Sequence, residues 1–584
     1  MLFLAGHAHA KEKENFMVPM RDGVRLSTDA YVPGDAGSRW PAILIRSAYG
    51  KEVVEEIAEQ LTVLGSFAIV VQDTRGRNKS EGTDCVFTCD ASDGVDTVQW
   101  VRAQDWSNGL VATWGASALG ISEYMMVPEN PEGLVAMWAE IATVDMYGFM
   151  YPGGVFRMRD VESWITDQGS AFFLENVKKH PLYDEFWAPN EVAERFETVR
   201  VPGVHLAGWY DMFQQGTLEA FKGYQELGGR GAKGQQKLIV GPWTHGNYFG
   251  RRQGDLTYPE NSALTQDHYI ELLTGWMFHY LNVIPDIAWI RAFPTVQYYT
   301  MGDVFDKTAP GNEWRTSTEW PPPAPKVMYY MRGDGSLVAE CPRGARYTRY
   351  MYDPANPSPS RGGNNLYGGA GPRNQSDVEV RTDLVKFNLP VENPIEITGA
   401  VKAHLWVSID QPDTDIMVRL TDVYPDGRSY LLSDGAVRLA TRGTRDTIKL
   451  LANGEIVEAV VELPAVSIIL NTGHTLRALV TSSNAPRFRP NPNDGTSYGE
   501  KSDPRPVYVT LYHDADRPSY LEIPVPGADP SSLVDCRPLP PDQQDGGTDA
   551  GADSGFDAGQ DSGATPDGGM PEHSGGCSVT GLGV

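Results

Sequence analysis

Three short motifs in this 584-residue chain hold a serine, an aspartate and a histidine beside glycines and aromatics. Ser117 lies in Trp114-Gly115-Ala116-Ser117-Ala118-Leu119-Gly120. Asp211 closes Gly208-Trp209-Tyr210-Asp211, and His245 follows Gly241-Pro242-Trp243-Thr244. Together these types can run nucleophilic acyl transfer. A serine hydroxyl is a weak nucleophile and needs a base, here His245, to take its proton. A carboxylate, here Asp211, would hold the imidazole tautomer and stabilise the imidazolium that forms. Charge developing on the substrate needs donors. The backbone N–H of Ala118 is one candidate, and the phenol of Tyr49 in Ser47-Ala48-Tyr49-Gly50-Lys51 is the other. Each motif alone is weak: Gly-x-Ser is usually a turn, His245 a loop histidine, Asp211 a helix N-cap, Tyr49 a packed loop aromatic.

Strands and helices alternating through the first 300 residues would position these groups. Residues 41–47 (PAILIRS) form an apolar run after a Gly/Pro-rich turn and read as a buried strand. Residues 51–64 follow with Val53, Val54, Ile57, Leu61 and Leu64 at helical spacing. Further strands are expected at 67–71, 110–113, 204–207 and 237–240, with an amphipathic helix at 95–101. Such alternation implies a mostly parallel sheet covered on both faces, whose ligands gather beyond the carboxyl ends of the strands. Ser117, Asp211 and His245 each follow a strand, in the chain order Ser…Asp…His of α/β-hydrolases.

The motifs resemble those of the cocaine esterase-like acyl hydrolases, relatives of X-prolyl dipeptidyl peptidases and α-amino acid ester hydrolases. The likeness runs through residues 15–526. It includes Val18-Pro19-Met20-Arg21-Asp22-Gly23, Arg46-Ser47-Ala48-Tyr49-Gly50-Lys51, Gln72-Asp73-Thr74-Arg75-Gly76 and Ser80-Glu81-Gly82, besides the three motifs above. The resemblance implies Ser117 as nucleophile, Asp211 and His245 as its partners and Tyr49 in the oxyanion hole. It also implies a helical cap and a C-terminal jelly roll. Two departures stand out. Ala118 replaces the tyrosine that commonly follows the nucleophile, and Met212 and Phe213 stand where α-amino acid ester hydrolases carry acids for a substrate ammonium. Glu140 or Asp145 could serve that role instead.

The expected architecture is an α/β-hydrolase domain at 11–120 and 201–320, with a helical cap at 121–200 rich in aromatics and Met. A β-sandwich follows at 321–538. In the sandwich Val401, Ala403, Leu405, Val407 and Ile409 alternate with Lys402, His404, Trp406 and Ser408. Strands at 418–423 and 430–432 flank the turn Tyr424-Pro425-Asp426-Gly427-Arg428. Residues 539–584 form a Gly/Asp-rich tail. From 541 onward it carries eight Asp or Glu and no Lys or Arg, so it cannot bury enough apolar surface to offset its ordering entropy. Its Ser574-Gly575-Gly576-Cys577 resembles cysteine-containing sorting tails of exported proteins. Residues 1–10 end in Ala8-His9-Ala10, a signal-peptide-like remnant. The chain is therefore expected to be exported, secreted or bound to the cell envelope.

Net charge is −27, against the basic footprint that nucleic acid requires. No run of 18 apolar residues is present. Cys85 and Cys89 form either a local disulfide or two buried thiols, while Cys341 and Cys536 lie far apart, and four cysteines allow three connectivities. No metal or organic cofactor is implied. The reading is a serine hydrolase of small-molecule esters or amides. Its alternatives are an X-prolyl dipeptidyl peptidase, a β-lactam acylase-like amidase and a glycan-binding adhesin on a vestigial hydrolase fold.

Overall fold

The buried apolar runs of the N-terminal half assemble one sheet of ten strands. In the computed structural model it runs β1 (Glu14–Pro19), β2 (Arg25–Tyr31), β4 (Ala68–Asp73), β3 (Trp40–Ser47), β5 (Ser107–Ala116), β6 (Leu134–Glu140), β7 (Gly203–Tyr210), β8 (Gln236–Thr244), β9 (Val296–Thr300) and β10 (Glu313–Ser317). The model describes residues 13–34, 37–62, 66–344, 346–532 and 534–536. The expected signal remnant, Leu64 and the tail with Cys577 lie outside the described residues. From β4 to β9 every neighbouring pair is parallel, and antiparallel pairing is confined to the two edges. Central parallel strands are covered on both faces, so they read as continuous apolar runs. Phe67 to Val71 are all fully buried.

Three expectations are corrected. Residues 134–140 (LVAMWAE) are strand β6, inserted between β5 and β7, and α3 (Ala118–Met126) packs beneath the sheet strands. The insertion therefore starts after Glu140 rather than at 121. It contains α4 (Met146–Met150), α5 (Met158–Asp167) and α6 (Ala171–Lys179) with short 3-10 turns. The helix expected at 51–64 is a 3-10 turn over Lys51–Val54 followed by α1 (Glu55–Thr62). Its start is tied down by the Lys51 N–H, which donates to Asp73 at 2.8 Å. The other helix begins earlier than its apolar periodicity suggests. α2 (Asp90–Arg102) opens with buried Asp90 and Asp93, which pair with Arg46 and Arg75.

From Lys326 onward the described strands are antiparallel. A sheet built on Lys402–Ile409 faces one of Leu384–Pro390, Thr475–Thr481, Asp415–Val423 and Ser429–Arg438. Ala403, Leu405, Val407 and Ile409 point into the shared core with Val418, Leu420 and Val480. That core continues into the catalytic sheet. Trp209 of β7 packs on Trp320, ring centroids 5.3 Å apart, and Tyr210 donates to the Leu431 carbonyl at 3.2 Å. The sandwich thus braces the strand whose end carries Asp211.

Candidate active site

Each of the three sequence motifs places its reactive residue one position beyond a parallel strand: Ser117 after β5, Asp211 after β7, His245 after β8. Ser117 has φ 57° and ψ −126°, a strained conformation for a residue with a side chain. The turn from β5 into α3 can be this tight because of two glycines. A Cβ on Gly115 would lie 2.6 Å from the Leu119 carbonyl, and one on Gly120 would lie 2.9 Å from the Gly115 carbonyl oxygen. The Ser117 N–H donates to the Glu140 carbonyl at 3.0 Å, which ties the turn to the end of β6.

The three side chains form one hydrogen-bonded line. His245 Nε2 is 3.0 Å from Ser117 Oγ, and His245 Nδ1 is 2.5 Å from Asp211 Oδ2. Asp211 is fully buried, and its other oxygen accepts the Phe213 N–H at 2.7 Å. A carboxylate only accepts, so it keeps the imidazole proton on Nδ1 and leaves the Nε2 lone pair facing the serine. Asn364, from the C-terminal half, donates to the Asp211 backbone carbonyl at 2.8 Å. Sequence reasoning saw nothing catalytic in that half. The Gly362-Gly363-Asn364-Asn365 cluster, which sequence reasoning did not single out, is the local signal that could have drawn attention to this loop.

Tyr49 sits in a loop held from below. The Lys51 ammonium is buried against Asp29 at 2.8 Å, and Arg46 bonds Gln72 at 3.0 Å and pairs with Asp90 at 2.7 Å. These contacts account for the Arg46–Lys51 and Gln72–Gly76 motifs as scaffolding. The Trp164 indole donates to the Tyr49 oxygen at 3.0 Å, and Tyr49 lines the same cleft as Ser117. Indole is a donor only, so the Tyr49 proton stays free to point elsewhere. Burial raises the phenol above its ordinary pKa, which keeps it protonated. Ala118, heading α3, presents a first-turn N–H with no partner within the helix.

A narrow cleft opens over Ser117, and its roof is aromatic: Phe87, Phe149, Trp164 and Phe213. Phe149 and Trp164 belong to the aromatic-rich segment noted in the sequence, but none of the four was singled out there as a cleft residue, and nothing near Phe87 marked it as one. Neither acid proposed for a substrate ammonium lines the cleft. Glu140 is buried elsewhere among four donors, the indoles of Trp114 and Trp138 and the hydroxyls of Tyr248 and Tyr269. Asp145 caps α4 through the Gly148 N–H and faces Arg445. The acid that does line the cleft is Asp160, which is 1% exposed. One oxygen accepts the Leu366 and Tyr367 N–H groups at 3.2 and 3.1 Å. The other makes no hydrogen bond and lies 3.7 Å from Arg157.

Residues 22–172 and 164–247 match the family model of X-Pro dipeptidyl-peptidase (S15 family), and residues 288–522 match that family's C-terminal non-catalytic domain. The cocaine esterase of Rhodococcus sp. (strain MB1 Bresler) is 30% identical, the alignment covering 88% of this chain and 98% of that protein. Among solved structures, an aminopeptidase from a marine sediment archaeon (Thaumarchaeota archaeon) superposes with a TM-score of 0.74 at 22% identity, over 90% of this chain and 98% of that one. An α-amino acid ester hydrolase superposes with 0.72 at 23% identity, over the same shares.

Proposed function

Because the chain belongs to the cocaine esterase-like serine hydrolases of the S15 peptidase family, we propose that it cleaves esters of flat or aromatic small acids through an acyl-enzyme on Ser117. The line Ser117–His245–Asp211 at three strand ends carries this reading. Ser117 Oγ attacks the ester carbonyl as His245 Nε2 takes its proton. The oxyanion is met by the Tyr49 hydroxyl and the Ala118 N–H. His245 then hands the proton to the departing alcohol, and water repeats the sequence with His245 as base. The roof of Phe87, Phe149, Trp164 and Phe213 suits a flat acyl group. An intact, hydrogen-bonded triad speaks against a vestigial, glycan-binding role.

A second reading, hydrolysis of α-amino esters or amides, is favoured by Asp160. One Asp160 oxygen makes no hydrogen bond, and its counter-charge Arg157 stands 3.7 Å off, so lone pairs remain for a substrate ammonium. We also infer export. Cys85 pairs with Cys89 and Cys341 with Cys536, and such bonds persist in oxidising compartments. Recovery of the protein from the cytosol with free thiols would reject this.

The test of the main reading is rapid mixing with p-nitrophenyl acetate, butyrate and benzoate beside Ser117→Ala. Mass spectrometry of the Ser117 peptide would accompany it. A burst with an acyl adduct on Ser117, both absent from the variant, is expected. Equal turnover by wild type and variant would remove Ser117 from the chemistry.

A further inference from the structure

The cleft is closed at one end by a residue that lies outside both the sheet and the helical insertion. Phe87 sits in a four-residue-spaced loop whose ends, Cys85 and Cys89, are joined by a disulfide. Inside that loop Val86 and Phe87 both take positive φ, 42° and 72°. A β-branched residue there is a conformational outlier, and two such residues in succession persist only when their surroundings over-determine them. Here the surroundings do so. The Val86 N–H donates to Asp84 Oδ1 at 3.0 Å, and the Asp90 N–H donates to the Phe87 carbonyl at 3.1 Å. Asp84 Oδ2 is gripped by Arg77 and by the Ser170 hydroxyl, each at 2.6 Å. On the underside Gly76 lets the chain pass so closely that a Cβ there would lie 2.0 Å from the Asp84 nitrogen.

This clasp delivers one side chain. The Phe87 ring, 5% exposed, stacks on Trp164 with centroids 5.9 Å apart and planes 18° from parallel. Trp164 is the indole that bonds Tyr49. Phe87 and Trp164 each line two cavities. On one side is the apolar cleft with Ser117. On the other is a polar cavity bounded by Thr74, Arg75, Arg77 and Asp84. The two rings are a partition between them.

We propose that Phe87, clasped by the Cys85–Cys89 bridge, is the specificity-determining end wall of the acyl cleft. It admits short or flat acyl groups and excludes long ones by closing off the polar cavity behind it. The assignment rests on the acyl-enzyme reading of Ser117. Cutting back the ring joins the two cavities and lengthens the space open to an acyl chain. Opening the bridge removes one constraint on the left-handed pair and lets the ring swing, with the same direction of effect.

The test uses the full chain and p-nitrophenyl acetate, hexanoate and decanoate, so that the acyl group changes while the leaving group does not. The variants are Phe87→Ala, Phe87→Leu and the double Cys85→Ser/Cys89→Ser, each checked by its melting curve. A set of acetate esters of different alcohols serves as control. The ratio of kcat/KM for decanoate to acetate should rise about tenfold in Phe87→Ala, given what one or a few methylenes are worth in the apolar space that the ring vacates. A smaller rise is expected in Phe87→Leu, which keeps the loop filled should the alanine variant fold poorly. The double serine variant should fall between wild type and Phe87→Ala. An unchanged ratio in folded Phe87→Leu with Ser117 still acylated would overturn the wall alone. So would a change that follows the alcohol rather than the acyl group. Loss of the effect only in the double serine variant would detach the bridge from the wall. No acylation of wild-type Ser117 would overturn the acyl-enzyme reading and the wall with it.

Discussion

The floor and the roof of the cleft are built differently. On the floor, Ser117, Asp211 and His245 stand one residue past three buried parallel strands, and each polar atom has a partner at a defined distance. On the roof, Phe87, Phe149, Trp164 and Asp160 come from a disulfide loop and short helices, held by ring contacts and a few long-range hydrogen bonds. Rigid elements place the chemistry, and adaptable segments shape what reaches it. The two parts meet at the hydrogen bond between Trp164 and Tyr49, where a roof residue orients a floor donor.

If the division holds, floor substitutions should cut kcat and roof substitutions should change selectivity. The largest effect is expected for Asp211→Asn. Its amide no longer enforces the Nδ1 proton, so kcat should fall about 10⁴-fold with KM little changed, as steady-state kinetics would show. Tyr49→Phe removes one oxyanion donor and should cost about 10²–10³ in kcat. A loss confined to KM would instead move Tyr49 to the roof.

Asp160→Asn tests the roof. If its carboxylate meets a substrate ammonium, the preference for phenylglycine methyl ester over methyl phenylacetate should drop about tenfold or more, the worth of a charge-assisted hydrogen bond. No preference in the wild type, or one that survives the substitution, would rule out the amino-ester reading.

The smallest effect concerns stability and a carboxylate beneath the floor. Burial pushes Glu123 of α3 up to about 8, although Thr113 and the Trp138 N–H donate to one oxygen. The other oxygen has no partner. A carboxyl whose folded pKa is raised contributes stability below its unfolded pKa of about 4.5 and loses it as pH climbs through about 8. Glu123→Gln lacks this term. Its melting temperature relative to wild type should therefore rise by a few degrees between pH 5 and pH 9. A constant gap across that range would mean that Glu123 is ionised throughout.

Much of the floor was legible because its signals are local. The Gly115–Gly120 spacing and the apolar run before each motif are readable within a dozen residues, and the order Ser…Asp…His follows once each motif has been read by itself. Strand β6 escaped notice because its motif ends in Glu140, whose carboxylate is buried among the Trp138 indole of β6 itself and an indole and two phenols from three other places in the chain. Glu140 and Asp145 looked like possible substrate acids for the same reason: composition shows a carboxylate but not which way it faces.

The sequence by itself singled out Ser117, His245 and Asp211, which the structure brings into one hydrogen-bonded line, together with the parallel sheet and the antiparallel sandwich, because turn chemistry and hydrophobic period act over short stretches of chain. Only the tertiary structure decided that Phe87 and Asp160 line the cleft, that Asn364 supports Asp211 and which cysteines pair. Those contacts join residues up to 195 positions apart. Their energy depends on burial and packing that no local pattern encodes.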